Sequence, residues 1–449
     1  MKLATTPFTL ALIAITFPAS LLIVAGCLRY GGPNQFIQRV QTEIAHNMPH
    51  EVSVPTPLPG NSQLSPAQAA RLTVNSVVIA EPITTSSLIS ETVADAPLLL
   101  PTATPEETVA EPLPAQPIDE NIQSAPQPLH QPSLPAVELT GLRHEWQTWN
   151  NCGPATLSFY MSYYGNPLTQ ADTGAQLRHN PDDKNVLPFE LSQFAQNQGY
   201  LTSVRVNGNL DLLRSFLSNG IPVIIETWLE EEPNDGMGHY RLLTGYDDAG
   251  QYWIAYDSYV TRDLLNPNGA YRGIRLPYAE TDALWKVFNR TFVLVYPQEK
   301  QELVASIFGE ALAQPMQSNI AALEQARAEL ASNPNDAFAW FNLGSMLVTL
   351  NYPAQAADAF DNARRLGLPW RMLWYQFEPF SAYYQVGRFQ EVVALADATL
   401  RNVDSIEEIF YWKGMGLAAL GDRDGAIEAW RAALRLNSNY TPAITALGM

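Results

Sequence analysis

The chain has 449 residues, too many for one ordinary domain and enough for two hydrophobic cores. Its 26 Lys and Arg stand against 45 Asp and Glu, a formal charge of −19. Nucleic acid and anionic membrane surfaces demand basic patches, so the balance argues against both as partners and favours neutral or basic substrates. The two cysteines, Cys27 and Cys152, allow neither a disulfide framework nor a zinc motif, and no metal or organic cofactor is implied.

In chain order, Phe8 to Leu28 is an apolar run without a charge, preceded by Lys2 and followed by Arg29. At about 20 residues it is long enough to span a bilayer as a helix. It ends Val24-Ala25-Gly26-Cys27, which resembles the bacterial lipoprotein signal and implies Cys27 as a lipidated residue. Residues 1–28 therefore read as a membrane anchor, a lipoprotein signal or an ordinary cleaved signal. All three predict export, with the folded part outside the membrane and either tethered to it or secreted. Residues 29–137 are rich in Pro, Thr, Ser, Ala and Glu from Met48 onward, poor in aromatics and without a sustained period. That composition predicts a disordered, semi-stiff linker.

Residues 138–298 carry the chemistry. The stretch Trp146-Gln147-Thr148-Trp149-Asn150-Asn151-Cys152-Gly153-Pro154-Ala155 opens a helix expected to run to about Tyr164, stopped by Gly165. Pro154 suits a first helical turn, and Leu157, Met161 and Tyr164 recur at helical spacing, which predicts one buried face. Cys152 then lies at a helix N-terminus, where unpaired N–H groups favour the thiolate, the nucleophilic form. A small buried cysteine is the plainer alternative. Leu187–Gln198 reads as a second helix, Leu201–Val206 as a strand, and Asn209 as the cap of a third helix to Leu217. Ile221–Trp228 reads as a buried strand and Thr291–Tyr296 as the last one. Between them, Gly238-His239-Tyr240 opens an apolar run ending Thr244-Gly245-Tyr246. Asp247–Gly250 is a turn, and Gln251–Ser258 returns as the partner strand. Such a hairpin brings His239 and Asp257 near each other. His144 and His179 have no comparable setting and are expected to be solvated.

Cysteine, then histidine on a strand, then a carboxylate on the next strand is the chain order of papain-like hydrolases. On Asn151-Cys152-Gly153-Pro154-Ala155, Gly238-His239-Tyr240 and Tyr256-Asp257, the stretch from about Leu139 to Tyr296 resembles the bacteriocin-processing cysteine peptidases, family thirty-nine, in their free-standing form. The resemblance implies an α+β papain-like two-lobed domain, with a nucleophile helix against an antiparallel sheet. It implies Cys152 as nucleophile, His239 as general base and then acid, Asp257 as the residue orienting the imidazole, and Gln147 as an oxyanion donor. Two positions depart from the pattern. Gln147 stands five residues before Cys152 rather than six, and Asp257 is followed by Ser258 rather than proline.

Residues 299–449 turn to Ala, Leu, Glu and Arg with helical period. Trp340, Gly344, Ala356, Phe360 and Ala363 form one unit; Tyr383–Phe389 repeats its centre more loosely, and Gly414, Gly421, Ala426, Trp430 and Ala433 repeat it again. Units two and three are spaced by the 34 residues of tetratricopeptide repeats, which the region 333–439 resembles. An all-α helical array is expected, presenting a surface to a peptide or protein partner.

Together these readings predict an exported, membrane-tethered cysteine peptidase-like hydrolase acting on a peptide or protein. Two alternatives stay open: a thiol acyltransferase or transglutaminase-like enzyme, and an inert papain-like binding scaffold.

Overall fold

The computed structural model describes residues 53–59, 64–69, 134–230 and 235–449. The Phe8–Leu28 run, Cys27 and most of the linker lie outside them. No helix among the described residues is long and apolar enough to cross a membrane.

The first domain is built on one antiparallel sheet. Its strands are β1 (Ala136–Glu138), β2 (Leu201–Arg205), β3 (Val223–Leu229), β4 (Met237–Asp247), β5 (Tyr252–Tyr256), β6 (Ile274–Pro277) and β7 (Phe292–Tyr296). They lie in the order β2-β7-β3-β4-β5-β6, with β1 added to the far end of β4. Residues alternate between the sheet's faces, so each strand feeds two cores. On one face Ile224, Leu242, Val293 and Val295 meet the helices α1 (Cys152–Tyr163), α2 (Gln170–Leu177) and α3 (Pro188–Asn197). On the other, Val223, Ile225, Leu243 and Leu294 meet α4 (Leu210–Ser218), α5 (Tyr278–Lys286) and α6 (Gln301–Phe308). This is the α+β arrangement expected. Asn209 caps α4 as its sequence predicts, accepting from the Leu212 N–H at 3.0 Å. The expectation of one buried face on α1 needs correction. Every residue from Gly153 to Met161 is buried, because α1 lies between the sheet, α2 and α3.

The second domain is a helical array: α7 (Pro315–Ser332), then the pairs α8 (Ala337–Thr349) with α9 (Pro353–Leu366), α10 (Glu378–Gln385) with α11 (Phe389–Leu400), and α12 (Glu407–Ala419) with α13 (Arg423–Leu436), closed by α14 (Thr441–Leu447). The repeat is legible in its packing. A Cβ on Gly344 would come within 2.7 Å of the Phe360 ring, and one on Gly414 within 2.4 Å of Trp430. Glycine on the first helix lets the aromatic of the second approach closely. In the middle unit, 34 residues before Gly414 and Trp430, stand Phe380 and Ala396, both fully buried, so the large residue has moved to the first helix.

The two domains share a core. Trp228, Val287 and Phe288 of the first are buried in one apolar cluster with Trp340, Leu373, Trp374 and Phe380 of the second. Polar contacts frame it: Asn342 Nδ2 donates to the Lys286 carbonyl at 2.8 Å and Gln376 Nε2 to the Val287 carbonyl at 3.1 Å. Arg371 pairs with Asp235 at 2.5 Å.

Within the span read as a linker, the described pieces 53–59 and 64–69 pack on the array. Val54, Leu64 and Ala69 are buried in its core, and the Val54 N–H donates to the Leu368 carbonyl at 2.9 Å. Arg364, inside α9, donates to the carbonyls of Pro55 (2.7 Å) and Thr56 (3.1 Å). These two described pieces thus depart from the expected linker, because Val54, Leu64 and Ala69 find a groove that composition alone does not reveal.

Candidate active site

The β4 strand creates the place for the nucleophile. It pairs with β3 from Met237 to Leu243, but with β5 only from Leu242 onward. From Met237 to Arg241 its second edge has no strand neighbour among the described residues, and the start of α1 lies there, with Thr156 Oγ1 donating to the Tyr240 carbonyl at 3.2 Å. Gly153 is what lets it fit, since a Cβ there would stand 3.3 Å from the Tyr240 ring. Cys152 opens α1 as the sequence predicts, half-buried, its sulfur accepting from the backbone N–H groups of Tyr240 and Gly153.

His239 and Asp257 meet across the hairpin. His239 Nε2 lies 3.0 Å from Asp257 Oδ1, and the imidazole is hydrogen-bonded to Cys152 as well, which leaves Nδ1 for the sulfur. Asp257 is fully buried and heavily bonded. Its Oδ1 also accepts from the N–H of Tyr259 (2.7 Å) and Val260 (2.8 Å), and its Oδ2 from Arg241 Nε at 2.9 Å. Arg241 in turn donates to Thr227.

The protonation pattern follows from this chain. Burial pushes the Cys152 thiol up, but the hydrogen bond and charge of His239 and the two backbone N–H groups outweigh it, so the thiol falls below its ordinary value. Burial pushes His239 down, yet the Asp257 charge and hydrogen bond, with Cys152, bring it up to about 9. Asp257 sits well below the carboxylate range: burial opposes ionisation, and His239 and Arg241 overcome it. A lowered thiol beside a raised imidazole favours a thiolate–imidazolium pair at neutral pH.

Gln147 stands on the other side of the Asp257 turn. Its Oε1 accepts from Ser258 Oγ at 2.7 Å, and its backbone N–H donates to the Ser258 carbonyl at 2.9 Å. The two positions that depart from the family pattern are therefore bonded to each other. With Oε1 engaged, the Nε2 donors remain for another acceptor. Gln147 does not line the cleft at Cys152; Asn150 does, with a left-handed φ of 53° and a buried Nδ2 that has no partner among the described residues.

His144 differs from its expectation. It is half-buried, stacked on Tyr271 at 3.5 Å between ring centroids, and its Nε2 lies 2.8 Å from the Asp257 carbonyl oxygen. It buttresses the Asp257 turn rather than meeting solvent. His179 lies 3.8 Å from Glu190.

Three residues with a part in the site were not found from sequence. Arg241 sits in an apolar strand run, and the signal available was an arginine spaced to face Asp257. Glu226, on β3 opposite Tyr240, is 7% exposed and lines the cleft. Tyr375 comes from the array, in the turn before α10, and lines the same cleft. Its ring packs where a side chain on Gly238 would go, 3.0 Å from an ideal Cβ. With Asn150, Lys184–Val186, Glu226 and Tyr375 around it, the cavity at Cys152 holds about 10 Å³, room for one water. A larger, open groove of about 460 Å³ lies nearby, between Arg241, Val260, Arg262 and Thr281.

Residues 131–269, which hold Gln147, Cys152, His239 and Asp257, match the family model described as Peptidase_C39 like family. No curated protein matches the chain. Solved structures that match include a C39-like peptidase from Bacillus anthracis, at 15% identity and TM-score 0.29, covering 36% of this chain and 98% of that one. They also include the MamA RS-1 ArsTM double mutant, at 17% identity and TM-score 0.27, covering 29% of this chain and 72% of that one. A further MamA structure matches at 16% identity and TM-score 0.26, covering 29% and 80%.

Proposed function

We propose, from the Peptidase_C39-like domain at residues 131–269, that this protein is a cysteine hydrolase cleaving peptide or related amide bonds. The observation that supports it is the continuous hydrogen-bonded chain Cys152–His239–Asp257–Arg241 at the open edge of β4. In this reading the Cys152 thiolate attacks the carbonyl carbon. The oxyanion that forms is met by the Cys152 N–H at the start of α1; the Gln147 amide, which does not line the resting cleft, would join it by bringing Nε2 forward while Ser258 holds Oε1. His239 gives its Nδ1 proton to the leaving amine, and a thioester remains on Cys152. His239 then takes a proton from water, whose oxygen attacks the thioester; the acid departs and the thiolate returns. Asp257 holds the tautomer and the charge of the imidazole throughout, and does not itself take the proton.

The helical array would bind the peptide or protein that is cut, or a partner that brings it. An N-terminal tether at residues 1–28, with Cys27 as its lipidated residue in the lipoprotein form, would place both domains outside the membrane.

The test is to incubate the full chain and its Cys152→Ser variant with a peptide library and follow new amino termini by mass spectrometry. Cleavage by the wild type alone supports the reading. Incorporation of an added amine, with no hydrolysis, would move it to acyl transfer. No turnover of either kind would leave a binding scaffold.

A further inference from the structure

The cleft at Cys152 contains a carboxyl group that the reaction above does not use. Glu226 sits on β3 beside the His239 strand, is 7% exposed, and faces the cavity. No hydrogen bond or ion pair reaches its carboxyl group among the described residues. A second carboxyl comes from the array. Glu378, the first residue of α10, has a buried Oε2 without a hydrogen-bond partner among the described residues and lies near enough to act on Glu226 by charge. Two carboxyl groups, one from each domain, thus act on each other by charge, and Glu226 is the one that lines the cleft beside the nucleophile.

The cation nearest to hand is already committed. Among the described residues lining the cleft Lys184 is the one basic side chain, and its donors go to Asp182 Oδ2 (2.5 Å), the Asp182 carbonyl (3.3 Å) and Ser405 Oγ (3.5 Å). Burying an unpartnered carboxyl is costly, and a polypeptide that needed only an apolar wall at Glu226 would gain by replacing it. Burial, the Cys152 thiolate and Glu378 all hold Glu226 well above the usual carboxylate range, so it waits in its neutral form for a cation to ionise against. The overall charge of −19 draws the same class of ligand toward the cleft.

We propose that Glu226, with Glu378 behind it, forms a subsite for a cationic group of the substrate, an ammonium or guanidinium, next to the bond that Cys152 attacks. This rests on the reading of Cys152 as the nucleophile. It also makes the array part of the active site: Tyr375, which closes the cavity, stands three residues before Glu378, so one short stretch of the array carries both the wall and the second carboxyl group.

The test uses three small reagents that transfer an alkylthio group to a cysteine thiolate, forming a disulfide with loss of methanesulfinate: the cationic 2-aminoethyl, the neutral methyl and the anionic 2-sulfonatoethyl methanethiosulfonates. Rates at Cys152 in the full chain are read by mass spectrometry of the Cys152 peptide and divided by the rates with free cysteine at the same pH. The cationic reagent is expected to be at least tenfold favoured over the neutral one. In Glu226→Gln the ratio should fall to within twofold of unity, and in Glu378→Gln to an intermediate value. Gln is nearly isosteric with a protonated Glu, and burial raises both carboxyl groups toward that form, so both variants should fold. Fast neutral labelling with no charge preference, or a preference that survives in Glu226→Gln, would overturn the subsite and leave the nucleophile standing. Neutral labelling no faster than free cysteine, with no charge preference, would overturn both.

Discussion

Arg241→Met is the substitution that most cleanly separates a catalytic constellation from a set of residues that happen to be near one another. Asp257 is fully buried, and its two oxygens are not equivalent. Oδ1 has three partners, His239, Tyr259 and Val260, whereas Oδ2 has only Arg241 among the described residues. Methionine keeps the apolar stem and removes the guanidinium, so Oδ2 is left buried without a donor. Breaking a buried ion pair from one side costs about 3–5 kcal/mol, and the three surviving bonds to Oδ1 put this case at about 3. That is about a hundredfold in the folding equilibrium. A second consequence concerns reactivity. The Arg241 charge holds His239 down, so its loss should let the imidazole rise above about 9. Urea unfolding of the wild type, Arg241→Met, Asp257→Asn and the double variant gives both the cost and the coupling between the pair. The account expects a coupling of about 2 kcal/mol or more. A single-variant loss below about 0.5 kcal/mol with no coupling would refute the argument, because it would mean that Asp257 does not depend on Arg241 in solution.

Three further outcomes follow from the same geometry. Ser258→Ala frees Gln147 Oε1, and should slow hydrolysis of a small activated ester about tenfold in kcat while leaving alkylation of Cys152 by iodoacetamide unchanged; equal loss in both would show that the bond serves folding alone. Tyr375→Ala opens the 10 Å³ cavity, and should speed alkylation of Cys152 several-fold while costing about 2 kcal/mol of stability; unchanged labelling would mean that the turn before α10 does not close the cleft. At the domain interface, burial and the Glu407 charge push Asp183 up to about 7. A carboxyl raised on folding adds stability at low pH that is lost as pH rises from its ordinary value through about 7. The melting temperature should therefore climb as pH falls from 8 to 5, and Asp183→Asn should flatten that slope; a wild-type slope of the opposite sign would contradict the assignment.

Much of the first domain was legible because local signals agreed. Gly165 takes φ of 81°, a conformation open to glycine, and α1 ends before it as read. Asn209 caps α4, and the Asp247–Gly250 turn joins β4 to β5 in the hairpin that brings His239 to Asp257. What sequence could not show depends on contacts made far along the chain. The period of Leu157, Met161 and Tyr164 signals a helix, but whether one side or all sides are buried is decided by α2 and α3 arriving later. Strand β6 is four residues long and ends in proline, below the length at which alternation speaks. His144 looks solvated in its own segment and is held by Tyr271 and the Asp257 carbonyl. Tyr375 and Glu378 belong by pattern to a repeat array, where an aromatic or an acid at a helix start reads as packing or capping. The place of Tyr375 in the cleft at Cys152, and of Glu378 within reach of Glu226, comes from the docking of two domains, and no spacing within either domain encodes it.

The most direct test of the central claim is the pH dependence of Cys152 alkylation by iodoacetamide, in the full chain and in His239→Ala, read on the Cys152 peptide so that Cys27 does not contribute. The account predicts fast labelling that persists well below the ~8.5 of a free thiol in the wild type, and an ordinary thiol profile in the variant. An ordinary profile in both proteins would contradict it: Cys152 would then be a buried cysteine at a helix start, and His239 a neighbour without a task.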